Sequence, residues 1–296
     1  MKDSMKKDKL LIIGAGYLGQ HLFNYFSDKY TTIIKNMPEI DVTNIVSLDS
    51  TLNDVKPRIV INAAAYTDVD GAENPIHQNM AFDANVKGPL NLAHLSHKYN
   101  FELVHISTGM IFDGNGNNSH GFTEEDTSNP TCYYAWTKAW CDAALTLHHK
   151  DVLITRIHMP VSGEANQRNL LFRSLHYDKG YTGKNTITVV EDFLVALDKL
   201  ISKKAIGIYH IVNNGEISAY EIINKLKISG LISNDKKITK INRRMIDKVF
   251  QKYGRAIRPD SIISNSKLSN FGINMPDIEP SIDKCIAELK AGIHAS

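Results

Sequence analysis

The sequence predicts an α/β fold built around a doubly wound parallel sheet. Short apolar runs rich in Leu, Ile and Val recur at residues 10–13, 32–34, 59–61, 103–106 and 152–154. Their length and composition are typical of strands that are buried on both faces. Amphipathic stretches separate these runs, and this alternation is typical of βαβ units with helices on both faces of the sheet.

The amphipathic stretches predict the helices. They lie at residues 17–27, 45–55, 83–98, 133–148 and 190–203. After Pro160 the pattern becomes irregular, with short helices and one later strand at residues 208–212. We therefore expect two interleaved domains. The first is residues 1–160, with residues 187–212 returning to it, and the second is mainly a cap formed by residues 161–296.

Composition limits the class of protein. The chain has 296 residues, with 34 Lys and Arg against 32 Asp and Glu, so its formal charge is +2. This balance lacks the clustered basic excess of a nucleic-acid binder. No apolar run approaches the roughly 20 residues that cross a bilayer or forms a secretion signal. Three scattered cysteines do not suit a disulfide framework or a zinc site. We expect a cytoplasmic protein with no metal, membrane or nucleic-acid partner.

A glycine-rich loop follows the first predicted strand and opens the first predicted helix. It carries Gly14, Gly16 and Gly19, with Tyr17 and Leu18 before the last glycine. Glycines at this spacing allow a tight turn, a close approach of a pyrophosphate to the backbone, and packing of the helix on the strand. The helix N-terminus adds free N–H donors and a partial positive charge. In this context the loop predicts a Rossmann-type dinucleotide site, with a purely structural turn as the alternative.

The residues at the end of the second predicted strand indicate which nicotinamide cofactor the site would prefer. An acidic residue there would bind the adenosine ribose and favour NAD, but the chain has Lys35 and Asn36. Lys35 can pair with a 2′-phosphate, which favours NADPH and leaves NADH open. The alternative is that Lys35 is a solvated loop lysine.

Tyr134 and Lys138 are four residues apart and lie on one face of a predicted helix. A free phenol has a pKa of about 10, and a lysine ammonium beside it lowers that pKa by stabilising the phenolate. Such a tyrosine can protonate the alkoxide that forms when a ketone is reduced. Thr108, beside Ser107 at the end of the fourth predicted strand, can hydrogen-bond the substrate carbonyl. An ordinary turn residue is the alternative.

Together these elements resemble the extended short-chain dehydrogenase/reductase superfamily. The first half is similar to the dTDP-4-dehydrorhamnose reductases, and the middle is similar to the bifunctional 3,5-epimerase/4-reductases that form UDP-rhamnose. The first likeness rests on residues 41–43, 60–70, 72–73, 85, 107–108 and 112–114. The second rests on residues 108–112, 121–126, 155–160, 167–169, 207–213, 258–259 and 266–268.

The resemblance implies a Rossmann-like cofactor domain and a smaller C-terminal domain that binds a nucleotide-sugar substrate. It places Asp41 and Val42 near the adenine and Pro160 beside the nicotinamide, and it puts Asn169 and Arg258 near the diphosphate of the sugar nucleotide. From the motifs and the resemblance together, the expected cofactor residues are Gly14, Gly16, Tyr17, Leu18, Gly19, Lys35, Asp41, Val42, Ala63, Ala64, Ala65, Tyr134, Lys138 and Pro160. The expected reductase and substrate residues are Thr108, Tyr134, Lys138, Met110, Asn169, Arg173 and Arg258.

Two departures from the bifunctional branch concern epimerisation. That branch has a cysteine at the position of Met110 and a lysine at the position of Arg173, thought to serve as acid and base. A thioether cannot exchange a proton, and a guanidinium with a pKa above about 12 is a poor base. Either the protein only reduces, or it epimerises with other groups. His158 is the candidate base for the second case, with a buried structural histidine as the alternative.

The sequence thus predicts an NADPH-dependent 4-reductase of a UDP- or dTDP-4-keto-6-deoxyhexose. The sugar would be of the rhamnose type or its 2-acetamido analogue, and 3- or 3,5-epimerase activity stays open. A non-catalytic NADP(H)-binding regulatory or scaffold subunit of the same fold is the alternative, and the intact Thr108, Tyr134 and Lys138 favour the enzyme. The resemblance also implies a homodimer formed through the helix that carries Tyr134.

Overall fold

A six-stranded parallel sheet in the order β2-β1-β3-β4-β5-β8 forms the centre of the computed structural model, which describes residues 7–114 and 121–295. The strands are β1 (Lys9–Ile13), β2 (Thr31–Lys35), β3 (Ile59–Asn62), β4 (Glu102–Thr108), β5 (Leu153–Ile157) and β8 (Gly207–His210). Every predicted strand overlaps one of these. The prediction of a doubly wound parallel sheet is confirmed.

Helices cover both faces of this sheet, because successive residues of each buried strand point to opposite sides. Leu10 and Ile12 of β1 enter one core, and Leu11 and Ile13 enter the other. The first core is covered by α1 (Tyr17–Phe26) and α7 (Val190–Ser202). The second core is covered by α2 (Ile45–Val55), α4 (Gly88–Tyr99) and α5 (Tyr133–His148).

The segment before α4 differs from the prediction. A helix α3 (Pro75–Phe82) and a π-helical turn at Asp83–Lys87 precede α4, where the sequence predicted one helix over residues 83–98. Within α3 only Ala81 is buried, so the helix has no apolar stripe that a sequence pattern could reveal. Pro75 opens α3, and the Asn74 side chain caps it by accepting the N–H of Ile76 at 3.1 Å.

A third core lies in the C-terminal part of the chain. It joins α6 (Leu170–Ser174), α8 (Ala219–Ile228) and α11 (Ile278–Ala295), and the length of α11 was not predicted. Two small sheets pair β6 (Lys179–Tyr181) with β10 (Thr239–Ile241), and β7 (Lys184–Asn185) with β9 (Ile217–Ser218). Two further helices are α9 (Arg243–Lys252) and α10 (Ser266–Asn270). The domain boundary at residue 160 stays a prediction.

The strand order creates a crevice at the C-terminal edge of the sheet. From β1 the chain crosses to β2 on one side, and β3 then pairs with β1 on the other side. Ligands of doubly wound sheets bind at such a switch point, beyond the carboxyl ends of the strands. In the two described ranges, no helix is both long enough and apolar enough to cross a membrane.

Candidate active site

The glycine-rich loop lies at this switch point, and its backbone packs against the backbone of the loop that follows β3. Gly14 has φ +103°, and a Cβ there would lie 2.6 Å from the Ala64 nitrogen. A Cβ on Gly19 would lie 1.8 Å from the Gly14 oxygen. The helix α1 that follows has neither a side-chain cap nor an acidic residue in its first turn. Its positive N-terminal end is therefore not neutralised by its own first residues, which suits an anionic group.

Arg168 is a residue that the sequence analysis did not select, and it faces this loop. Its Nη1 would lie 3.1 Å from a Cβ built on Gly16, and the residue is exposed. The Arg168 loop is fastened to α1, because the Tyr17 hydroxyl donates to Ser162 Oγ at 2.7 Å. A guanidinium over a helix N-terminus fits a phosphate, since its planar fork pairs with two oxygens.

The side-chain amide of Asn169, by contrast, uses both of its N–H donors within the chain. Its Nδ2 donates to the carbonyls of Ser162 at 2.8 Å and Glu164 at 2.7 Å, and its Oδ1 accepts the N–H of Leu171 at 3.1 Å. Both amide hydrogens are used, so none is left for the diphosphate that we expected Asn169 to contact. In this structure Asn169 shapes the loop that presents Arg168.

The residues expected near the adenine lie around the ends of β1 and β2. The Asp41 carboxylate accepts the N–H of Thr43 at 2.9 Å and its hydroxyl at 2.8 Å. Val42 is buried in the second core. The Lys35 amino group lies 3.9 Å from the Glu39 carboxylate, a surface pair that contributes little stability. This weak pair leaves Lys35 able to bind a phosphate.

Asn85 fastens the loop after β3 to helix α5. It accepts the N–H of Tyr66 at 2.8 Å, and its Nδ2 donates to the Tyr66 carbonyl at 3.2 Å and to Thr137 Oγ1 at 3.0 Å. Ala63, Ala64 and Ala65 lie between β3 and this clamp and are partly exposed. Asn85 belongs to the π-helical turn, a feature that is frequent at functional sites.

The turn after β4 meets the start of α5. Thr108 Oγ1 accepts the N–H of Met110 at 3.1 Å, and its O–H has no acceptor among the described residues, so it can donate to a ligand. Met110 and Tyr134 pack in one small cluster with Cys132. Ser107 Oγ is buried and has no hydrogen-bond partner among the described residues. The turn that Thr108 caps and the start of α5 therefore pack against one cluster, and the pairing of Thr108 with Tyr134 stays a prediction.

Burial dominates the electrostatics of Tyr134 and Lys138. Burial raises the pKa of the Tyr134 phenol, and the nearby Cys132 and Asp142 add to this effect. The Lys138 side chain is 1% exposed, and its Nζ lies 3.1 Å from His105 Nε2 and 2.9 Å from the Ile106 carbonyl. Burial lowers the pKa of Lys138. In this structure the Lys138 amino group is hydrogen-bonded to β4, and the expectation that it lowers the pKa of Tyr134 stays a prediction.

His158 is buried at the end of β5. Its Nδ1 donates to the Thr186 carbonyl at 2.9 Å, and burial lowers its pKa to about 4. The next residue, Met159, has φ +44°, a conformation that costs a non-glycine residue roughly 1–3 kcal/mol and is found mainly at functional sites. Pro160 follows directly. His158 is therefore a neutral and weakly basic histidine, which disfavours it as the base of an epimerase.

The two arginines expected at the substrate lie in the C-terminal part. Arg258 Nη2 is 3.0 Å from Asp70 Oδ1, and its Nη1 donates to the Ala256 carbonyl at 3.3 Å. Arg173 is exposed on α6. Within the part of the chain that the structure describes, no group of three or more His, Cys, Asp or Glu side chains could hold a metal ion.

The parallel sheet and the glycine-rich loop at its switch point define a Rossmann-like protein of the short-chain dehydrogenase/reductase type. The family model for the RmlD substrate binding domain matches residues 8–291, and the chain belongs to this family. The resemblance stated from the sequence is confirmed.

Three proteins illustrate the relationship. A dTDP-4-dehydrorhamnose reductase of Aggregatibacter actinomycetemcomitans is 36% identical over 150 residues, which are 49% of this chain and 50% of that protein. The crystal structure of a UDP-rhamnose synthase from Acanthamoeba polyphaga mimivirus has a TM-score of 0.86 and 23% identity, covering 95% of this chain and 99% of that one. A dTDP-4-dehydrorhamnose reductase from Bacillus anthracis, in complex with NADP, has a TM-score of 0.82 and 25% identity, covering 95% and 98%.

The position of Arg168 leads to a testable prediction. Arg168→Ala is expected to raise the Kd for NADPH about tenfold, because a charge-assisted hydrogen bond contributes roughly 1.5–3 kcal/mol. Fluorescence titration of NADPH measures this Kd. The melting temperature should not change, since the side chain is exposed. The matched control is Gln167→Ala, an exposed neighbour that should leave both quantities unchanged. An unchanged Kd in Arg168→Ala would contradict the prediction.

Proposed function

We propose that the protein reduces the 4-keto group of a UDP- or dTDP-linked 6-deoxyhexose with NADPH. The observation that carries this proposal is that Met110, in the turn that Thr108 caps after β4, and Tyr134, at the start of α5, pack against one buried cluster. The printed activities of the relatives, a dTDP-4-dehydrorhamnose reductase and a UDP-rhamnose synthase, support the substrate class.

The residues at the switch point fit a dinucleotide. The space beside Gly14 and Gly19 admits no Cβ, the start of α1 is uncapped by side chains, and Arg168 adds a positive charge over Gly16. Lys35 favours the 2′-phosphate of NADPH over NADH, and the Bacillus anthracis relative was crystallised with NADP. When bound, NADPH supplies the hydride that C4 of the sugar receives.

Thr108 and Tyr134 would then handle the C4 oxygen. The O–H of Thr108 would donate to the ketone and orient it. Because its pKa is raised, the Tyr134 phenol is fully protonated at neutral pH and gives up its proton only to a strong base. The alkoxide that develops at C4 is such a base, so the phenol protonates it as reduction proceeds.

The C-terminal part would bind the sugar nucleotide. We propose that residues 1–160, with residues 187–212, hold the cofactor and that residues 161–296 mainly form the cap. Arg258 would exchange its contact with Asp70 for a phosphate oxygen. All three cysteines are buried and free, which is compatible with the reducing cytoplasm that we propose as the location.

Removal of the Tyr134 hydroxyl tests the chemistry. Tyr134→Phe is expected to lower kcat by about 10²–10⁴-fold, the usual contribution of a positioned proton donor. The Kd for NADPH should stay unchanged. Stopped-flow NADPH oxidation with UDP- and dTDP-4-keto-6-deoxyglucose measures kcat. Tyr133→Phe is the matched control, because the Tyr133 ring faces Trp136 and lies outside the proposed centre. Turnover that is indifferent to Tyr134 would instead support a non-catalytic NADP(H)-binding subunit.

The geometry favours reduction without epimerisation. Met110 cannot donate a proton, Arg173 is exposed, and His158 is held neutral with a pKa lowered to about 4. Reactions run with NADPH in heavy water and followed by NMR are expected to show no enzyme-dependent deuterium at C3 or C5. Deuterium that is incorporated by the wild-type protein and lost in His158→Ala would contradict this and identify His158 as the base.

An apolar surface on α3 and α5 supports a homodimer. Trp136 and Trp140 are 39% and 52% exposed, and their rings stack with centroids 4.7 Å apart. Ile76 and Met80 of α3 are also exposed. We call these four residues the α3–α5 patch. Exposed apolar patches on soluble proteins commonly mark interfaces, and a patch on one pair of helices suits a two-fold symmetric contact.

The α3–α5 patch can be tested by a single charge. Trp140→Glu is expected to convert the dimer to a monomer, because a buried unpaired carboxylate is costly in an interface. Sedimentation velocity measures the mass. Ile228→Glu is the matched control, since Ile228 is an apolar side chain 85% exposed at the end of α8. A dimer that survives Trp140→Glu would place the interface elsewhere.

A further inference from the structure

The positive charge of the chain is concentrated in one segment of the C-terminal part. Residues 235–260 contain nine Lys and Arg against three Asp, a formal charge of +6, which leaves −4 on the rest of the chain. The segment forms β10, α9 and the loop that contains Arg258. The near-balance of the whole chain therefore conceals a strongly basic region, and such a region attracts an anionic partner.

Most of these basic side chains have no carboxylate partner. Arg243 is 2.9 Å from Asp113 and 2.8 Å from Asp247, and Arg258 is 3.0 Å from Asp70. Six others are exposed and form no ion pair within residues 7–114 and 121–295. Because the protein does not neutralise these charges, they are available to anionic groups outside it. We call these six residues the basic surface: Lys237, Lys240, Arg244, Lys248, Lys252 and Arg255.

Helix α9 is held to the protein by one face only. On that face Arg243 forms the ion pairs given above, and the Phe250 ring lies 6.0 Å from the Arg258 guanidinium carbon. None of the ten residues of α9 is buried. The remaining face of the helix is therefore presented to the surroundings of the protein.

An apolar stripe runs along this presented face, and we define it as Met245, Val249 and Tyr253. These residues follow one another at intervals of four, which places them on one side of α9 and of the turn that follows it. They are 46%, 47% and 66% exposed. Lys248 and Lys252 lie three residues after Met245 and Val249, so two members of the basic surface flank the stripe.

The combination of the two features distinguishes between anionic partners. The diphosphate of a sugar nucleotide is too small to contact six charges that are spread from residue 237 to residue 255. A nucleic acid would use the charges, but Met245 and Val249 offer nothing to its phosphates. The same surface of a second copy would bring like charges together. An anionic bilayer uses both features, because its headgroups attract Lys and Arg while apolar side chains enter the boundary of the acyl chains.

We propose that the basic surface and the apolar stripe bind the surface of an anionic membrane, with α9 lying in the plane of the headgroups. The binding is peripheral, since neither feature crosses the bilayer. The expectation of no membrane partner considered the total charge and long apolar runs, and neither of these reports a short basic amphipathic helix. The inference goes beyond the proposed reductase function and does not depend on it.

The first test is co-sedimentation of the full chain with lipid vesicles. Vesicles of phosphatidylcholine that contain phosphatidylserine are expected to bind the protein, and vesicles of phosphatidylcholine alone should bind it at least about tenfold more weakly. Ions screen charges near a membrane surface, so raising NaCl from about 0.05 M to about 0.3 M should release most of the protein. Equal binding to both kinds of vesicle, or binding to neither, would overturn the proposal.

Charge reversal locates the binding surface. Lys248→Glu combined with Lys252→Glu is expected to weaken binding to the phosphatidylserine vesicles at least about tenfold, because two attractive charges become repulsive. The matched control is Lys150→Glu with Lys199→Glu, which changes the net charge equally at two exposed lysines outside α9. The melting temperature should not change in either protein, since all four side chains are exposed. Equal binding by the two double variants would overturn the proposal.

Neutral substitutions in the apolar stripe separate a membrane from a nucleic acid. Met245→Gln with Val249→Gln keeps the charge and does not lower helix propensity, and it is expected to weaken vesicle binding about tenfold because less apolar area leaves water. Vesicle binding that equals that of the wild type would overturn the proposal. So would binding of poly(U) RNA, measured by fluorescence anisotropy, that is tighter than vesicle binding. None of these measurements needs a substrate, so their failure leaves the proposed function untouched.

Discussion

The contact of backbone on backbone at the end of β1 is the constraint on which the site depends. Gly14 lies against the start of the loop after β3, and Gly19 lies against Gly14, with no room for a Cβ at either position. This contact fixes where α1 begins, and it therefore fixes the direction of its N-terminal donors. The loop that carries Arg168 is anchored on α1 through Tyr17, so its position follows from the same contact.

Burial is the second physical effect that organises the site, and it acts on Tyr134 and Lys138 in opposite directions. It raises the pKa of the Tyr134 phenol and lowers the pKa of Lys138, so in each case it favours the uncharged form over the charged one. Electrostatic interactions between buried groups are stronger than in water, because the local dielectric is lower.

Much of the fold could be predicted from the sequence, and the reasons are local. Residues 10–13 and 59–61 form strands because apolar β-branched runs of this length suit a sheet covered on both faces. The glycine spacing predicted the loop, and the spacing of Tyr134 and Lys138 predicted a shared helix face. The helix α3 could not be predicted in the same way, because burial of Ala81 alone leaves no periodic signal.

The site residues likewise divide into features that depend on local sequence and features that depend on tertiary packing. By itself the sequence determined the positions of the strands along the chain, the phosphate loop, the residue types of the proposed reductase centre and the family, since these depend on short segments and their spacing. Only the tertiary structure decided the hydrogen bonding of Lys138 to His105, the approach of Arg168 to Gly16 and the internal use of Asn169. The first two of these join segments far apart in the chain, whereas Asn169 bonds within its own loop. Desolvation of a side chain also depends on every element packed around it, and no local pattern of residues encodes that.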